Sequence, residues 1–185
     1  GKKISIDSAT MMNKVFEVIE TKNIFNIQYN KIKILIHPKS YIHAIVKFNN
    51  GITKILVHDT SMKIPVFNTL YHGLDKKINS KLLDLDKLNN LNLKVVDLKK
   101  FTSIKILNEL PKISSLYETI LVVANDEFVN LFLKKKIKFN QISQYLLRFI
   151  KTYEFQKYKR LKPKNIHEIV ELSKYVRLKI RSLSI

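Results

Sequence analysis

The stretch Asp7-Ser8-Ala9-Thr10-Met11-Met12-Asn13-Lys14-Val15-Phe16-Glu17 gathers hydroxyl, amide, ammonium and carboxylate side chains within eleven residues. Asp and Ser are helix-capping residue types, so the segment reads as the start of a helix running to about Thr21. The free backbone N–H groups and positive dipole end of such a helix attract an anion, and Ser8 and Lys14 would add a hydrogen bond and a full charge. Asn13 stands four residues and Lys14 three residues before Glu17, so all three project from neighbouring positions on one helix face. That spacing lets Glu17 reach a divalent metal beside the same ligand. A plainer reading fits the same residues: a capped helix with an ordinary Lys14–Glu17 surface pair. On residue chemistry alone the plainer reading is the stronger.

Two further clusters could bear on chemistry. His37, Ser40 and His43 lie between an expected strand end and a hairpin, where side chains often face a cleft. A pair of histidines can bind metal, although a hydrogen-bonded structural histidine is the commoner outcome. Met62, after His58 and Asp59, can lie against a flat cofactor ring or fill a gap in packing. The chain has no cysteine, which excludes disulfides, thiolate metal sites and a cysteine nucleophile. Its three glycines, Gly1, Gly51 and Gly73, form no phosphate-binding or dinucleotide-binding fingerprint.

The elements expected to carry these residues follow from pattern. Lys3–Ile6 alternates like a short strand, and 32–36 reads as a second, mostly buried strand stopped by His37-Pro38. Residues 43–48 and 52–58 form a hairpin about Asn49-Asn50-Gly51. Residues 61–71 suit a short helix with Pro65 in its first turn, and 72–98 is a polar connector. Helical periodicity then recurs at 98–110, 114–133, 140–155 and 165–182, punctuated by Pro111 and Pro163. The expected class is α+β: a partial catalytic α/β unit with a hairpin over 1–75, a linker over 76–97, and a helical bundle over 98–185.

The net charge of +19 raises the question of nucleic acid. All but four of the 34 basic residues are lysine, however, and they are scattered rather than interleaved with exposed aromatics. Nucleic-acid modules favour arginine for its planar fork, so a solvated basic surface that assists anion binding is the better reading. With no apolar run of membrane-spanning length and no leader-like N-terminus, a cytoplasmic protein is expected.

The run Lys3-Ile4-Ser5-Ile6-Asp7-Ser8-Ala9-Thr10-Met11-Met12-Asn13-Lys14 resembles the signature of the 1-deoxy-D-xylulose 5-phosphate reductoisomerases. The likeness continues through Leu35–His43, the Asn50-Gly51 hairpin and Met62-Lys63-Ile64-Pro65. It persists more weakly at Ala124-Asn125-Asp126 and Lys138–Ile142. The resemblance implies the C-terminal half of an enzyme that converts 1-deoxy-D-xylulose 5-phosphate to 2-C-methyl-D-erythritol 4-phosphate for isoprenoid synthesis. Such an enzyme uses NADPH and Mg²⁺ or Mn²⁺, and is a homodimer. By the same likeness Ser8, Asn13 and Lys14 bind substrate around its phosphate, and Glu17 contacts substrate and ligates the metal. His43 faces the active site and Met62 lies near the nicotinamide. The nucleotide-binding domain, further metal-binding acids and a mobile loop belong to the half before Gly1, so this chain alone is not expected to be active. Departures are Val15-Phe16 where the family has Gly-Leu, Lys63 where arginine is usual, and no Gly or Pro in His58–Ser61. The alternatives are a non-catalytic fragment kept as a structural or interaction module and, behind it, a basic nucleic-acid-binding protein.

Overall fold

A computed structural model describes residues 1–183. Two helices open the chain, α1 (Lys2–Ala9) and α2 (Met12–Phe25), followed by a 3-10 turn at Tyr29–Lys31. Next come β1 (Leu35–Ile36), β2 (Ile42–Lys47), β3 (Thr53–Val57), α3 (Lys63–Leu70), α4 (Leu85–Asn89) and β4 (Lys94–Val95). A 3-10 helix at Thr102–Glu109 leads to α5 (Leu116–Leu133), α6 (Phe139–Ile150), α7 (Tyr153–Gln156), a 3-10 turn at Lys157–Arg160, and α8 (Ile166–Arg181). The α+β class holds, with helix dominant.

Packing divides the chain into two compact units. One joins Gly1–Lys33 to the segment from Asp97 onward; the other is Ile34–Val96. The expected linear grouping of 1–75 is therefore not a packing unit, because α1 and α2 bury their inner faces with the C-terminal helices. In that first unit α5 packs against α6 and α8, and α1 against α5. The core includes Leu116, Ile120, Leu121 and Phe128 from α5 with Leu172, Val176 and Ile180, a stripe spaced every four residues along α8. Ser115 caps α5 by accepting from Tyr117 N, and Asn165 caps α8 by accepting from Glu168 N. The expected 140–155 helix breaks at Thr152, whose ψ of 144° is extended, so α6 ends and the single-turn α7 begins.

In the second unit the hairpin is as expected: β2 and β3 pair antiparallel, and Gly51 supplies a φ of 87° at the turn. Pro65 lies in the first turn of α3. The strand expected over 32–36 shortens to Leu35–Ile36 and pairs with Lys94–Val95, within the expected connector. It is not buried, since Leu35 is 44% exposed.

Lys3–Ile6 is the clearest correction: it is helix, not strand. The inward residues are Ile6, Asp7 and Thr10, spaced as a helix face requires, and Lys3 pairs with Asp7 one turn on at 2.7 Å. Two of those three inward residues are polar, so apolar periodicity could not reveal the helix. The helix expected over 98–110 is a 3-10 helix, Thr102–Glu109.

Candidate functional site

Two helices meet head to tail at Thr10-Met11. Thr10 ends α1, Met11 takes a left-handed φ of 60°, and α2 starts at Met12. Asp7 and Ser8 therefore do not cap α2, as the sequence had suggested; both are in the last turn of α1. Asp7 is buried because it is taken by Lys3 and Asn125, leaving it no reach to the α2 amides. No side chain of the N-cap residue Met11 closes α2. In its first turn Met12 N makes a long contact to Thr10 Oγ1, at 3.4 Å, and Lys14 N donates to the Met11 carbonyl at 3.1 Å, which leaves the Asn13 N–H as an anion donor.

Around this junction Ser8 is exposed and Asn13 and Lys14 are half-buried. The Asn13 Oδ1 is buried without a hydrogen-bond partner. Lys14 Nζ contacts both Glu17 oxygens, at 3.0 and 2.8 Å. With side chains 43% and 51% exposed, that pair is worth little net and yields readily to a competing anion or cation. Val15, one of the departures from the family pattern, is fully buried and points into the core, so its bulk does not crowd Ser8 or Lys14.

The axis of α2 is held at its far end too. Lys22 is buried, with Nζ 3.0 Å from Ser114 Oγ and 4.0 Å from Glu118 Oε1. Tyr29 donates its hydroxyl to Glu118, whose carboxyl burial pushes up in pKa against the opposing pull of Lys22.

Glu17 has the donor chemistry a hard divalent cation prefers, yet one carboxylate is not a site for an ion that takes six or more oxygens. Among the described residues no group of three His, Cys, Asp or Glu side chains could hold a metal.

In the other unit His43 stacks on His58, with ring centroids 3.6 Å apart and planes 5° from parallel, and its Nε2 donates to the His58 carbonyl at 3.1 Å. His37 is a structural histidine: its Nδ1 accepts from the amides of Tyr41 (2.9 Å) and Ile42 (3.0 Å), which places the proton of the neutral ring on Nε2. Met62 is 72% exposed, immediately before α3, and is not core filling. The partners that fix Asp7 and Thr10, namely Asn125 and Ser103, were not among the residues singled out from pattern.

Residues 1–25 match the family model of the 1-deoxy-D-xylulose 5-phosphate reductoisomerase C-terminal domain, and residues 58–179 match that of the DXP reductoisomerase C-terminal domain. The chain is 61% identical over 185 residues to the 1-deoxy-D-xylulose 5-phosphate reductoisomerase of Pelagibacter ubique, covering all of this chain and 48% of that protein. To the Aquifex aeolicus enzyme it is 33% identical, over 99% of this chain and 47% of the relative. The Zymomonas mobilis reductoisomerase, solved in complex with NADPH, superposes with a TM-score of 0.86 at 29% identity, over 98% of this chain and 47% of that one. A DOX-P reductoisomerase in complex with NADPH, fosmidomycin and magnesium gives a TM-score of 0.87 at 29% identity, over 98% and 46%. The chain thus spans about half the length of the relatives it matches. Its opening helix pair lies in the first matched segment and its helical region in the second, and the chain belongs to the 1-deoxy-D-xylulose 5-phosphate reductoisomerase family.

Proposed function

We propose that this chain is the C-terminal portion of an NADPH- and divalent-metal-dependent reductoisomerase converting 1-deoxy-D-xylulose 5-phosphate to 2-C-methyl-D-erythritol 4-phosphate, and that the α1–α2 junction receives the substrate's phosphate. The observation that carries this is the start of α2: a helix without a side-chain cap from Met11, flanked by exposed Ser8 and by a Lys14 held only in a weak surface pair. Lys14 contributes the positive charge, Ser8 a hydroxyl, and Asn13 the N–H donors of its amide. Glu17, released from Lys14, contributes one carboxylate to Mg²⁺ or Mn²⁺. A metal there would stabilise negative charge building on the substrate's oxygens.

His43 is assigned to the active site and Met62, exposed at the head of α3, to the neighbourhood of the nicotinamide. In function, as distinct from packing, residues 1–75 belong to the catalytic part, 98–185 to the helical bundle, and 76–97 connect them. The enzyme works in the cytoplasm as a homodimer. Exposed apolar residues on the hairpin, among them Ile45, Val46, Ile55 and Leu56, support a surface that is covered in the assembled enzyme. No helix among the described residues is long and apolar enough to cross a membrane.

The test is NADPH oxidation by the product of the natural gene, supplied with 1-deoxy-D-xylulose 5-phosphate and Mg²⁺ or Mn²⁺. Oxidation that requires both sugar phosphate and metal is expected. A folded, metal-supplied protein without turnover would favour the non-catalytic reading.

A further inference from the structure

The junction that presents Ser8, Asn13 and Lys14 is not self-supporting. Met11 sits in the left-handed region, which costs a non-glycine residue roughly 1 kcal/mol or more and persists only when surrounding contacts enforce it. Within the junction the bonds are local: Thr10 Oγ1 donates to the Ile6 carbonyl at 2.9 Å and accepts a long contact from Met12 N, and Met11 N donates to the Ser8 carbonyl at 3.1 Å. Two side chains distant in sequence close the geometry.

The first is Asn125 in the middle of α5, 1% exposed, whose Nδ2 donates to Asp7 Oδ1 at 2.8 Å. The other oxygen of Asp7 accepts from Lys3 Nζ at 2.7 Å, and Lys3 also reaches Asp126 Oδ1 at 3.0 Å. Asp7 is 5% exposed and immediately precedes Ser8, so fixing both its oxygens fixes the rotation of α1 that turns Ser8 outward. The second is Ser103, 1% exposed in the 3-10 helix, whose hydroxyl donates to the Thr10 carbonyl at the end of α1. That carbonyl is one of the acceptors a helix end leaves free, and it lies directly before the left-handed residue.

We propose that Asn125 and Ser103 are positioning residues for the phosphate site, acting through Asp7 and Thr10 to hold the α1–α2 junction in its ligand-receiving geometry without touching the ligand. This rests on the function proposed above. Small displacements of a binding group are costly: about 1 Å can lower efficiency on the order of a hundredfold. The effect falls on the sugar phosphate rather than on NADPH.

The experiment uses the natural gene product, measuring KM for the sugar phosphate and for NADPH separately, with thermal unfolding as a check of folding. Asn125→Ala should raise KM for the sugar phosphate roughly tenfold and leave KM for NADPH within about twofold. Asn125→Asp, which sets a second carboxylate against Asp7, should be at least as severe. The reciprocal pair Asp7→Asn with Asn125→Asp restores an amide–carboxylate bond in the opposite sense and should recover most of the loss. If Asn125→Ala does not fold, Ser103→Ala, which removes one hydroxyl, decides by the same split. A lower melting temperature with both KM values unchanged overturns the inference while leaving the function standing. So does a failure of the reciprocal pair to recover. No turnover by the wild type overturns the function and this inference together.

Discussion

Replacing Glu127 by alanine should destabilise the protein by about 2 kcal/mol, and removing its two arginine partners together should cost more. Glu127 is 4% exposed in α5; its Oε1 accepts from Arg177 Nη1 at 2.9 Å and Arg181 Nη2 at 3.1 Å, and its Oε2 from Arg181 Nε at 3.0 Å. Three charge-assisted bonds thus join α5 to α8. The arginine side chains are 39% and 62% exposed, so when Glu127 is removed both guanidiniums rehydrate. The loss therefore falls below the roughly 3–5 kcal/mol expected when a buried charge is stranded. The double variant Arg177→Ala with Arg181→Ala does strand the carboxylate, which has no such escape. Acidity separates the two cases further. Burial alone would raise the Glu127 pKa, but the hydrogen bonds from Arg181 and Arg177 prevail and hold it below the ordinary 4.5. A group depressed in the folded state contributes stability that is present above its unfolded pKa and lost as pH falls through the folded one. The gap between wild type and Glu127→Ala should accordingly narrow below about pH 4.5. In the double arginine variant burial is left unopposed, so its deficit should shrink as acid protonates the carboxylate. Urea unfolding followed by helical circular dichroism at a series of pH values measures both. Equal costs for the two variants, or a wild-type advantage that does not narrow in acid, would refute the reasoning.

Two other outcomes follow from local geometry. Lys135 ends α5 with a φ of 59° and an exposed side chain, so Lys135→Gly should stabilise the protein by up to about 1 kcal/mol, read as a rise in melting temperature. His37 holds the Tyr41 and Ile42 amides through Nδ1; His37→Asn, whose oxygen replaces Nδ1, should retain protection of those amides in hydrogen exchange. His37→Gln, which matches the other ring nitrogen, should lose that protection at a cost of about 2 kcal/mol.

Much of the fold was legible where one signal dominates. Asn49-Asn50-Gly51 marks the hairpin because few residues tolerate positive φ, and the Leu172, Val176, Ile180 stripe marks α8 because a buried helix face repeats at that spacing. The α1 helix was hidden because its inner face adds to Ile6 only Asp7 and Thr10, polar groups whose burial depends on Asn125 and Ser103 more than ninety residues away. The β1–β4 pair was hidden for a related reason: two residues on each side carry no pattern of their own. At the site, the residue types at Ser8, Asn13, Lys14 and Glu17 pointed to a helix start near an anion. The start itself is three residues beyond the Ser8–Ala9 position the capping residues suggested, after a helix the pattern did not show. Asn125 and Ser103 were beyond reach, since nothing local distinguishes a positioning amide or hydroxyl from an ordinary one.

The most direct measurement of the central claim is the dependence of NADPH oxidation on 1-deoxy-D-xylulose 5-phosphate for the natural gene product and its Lys14→Ala variant, at saturating NADPH and metal. Loss of the one full charge at the α2 start should raise KM for the sugar phosphate by roughly tenfold to a hundredfold, the scale of a charge-assisted contact. Wild-type turnover with an unchanged KM in Lys14→Ala would contradict the placement of the phosphate at the α1–α2 junction.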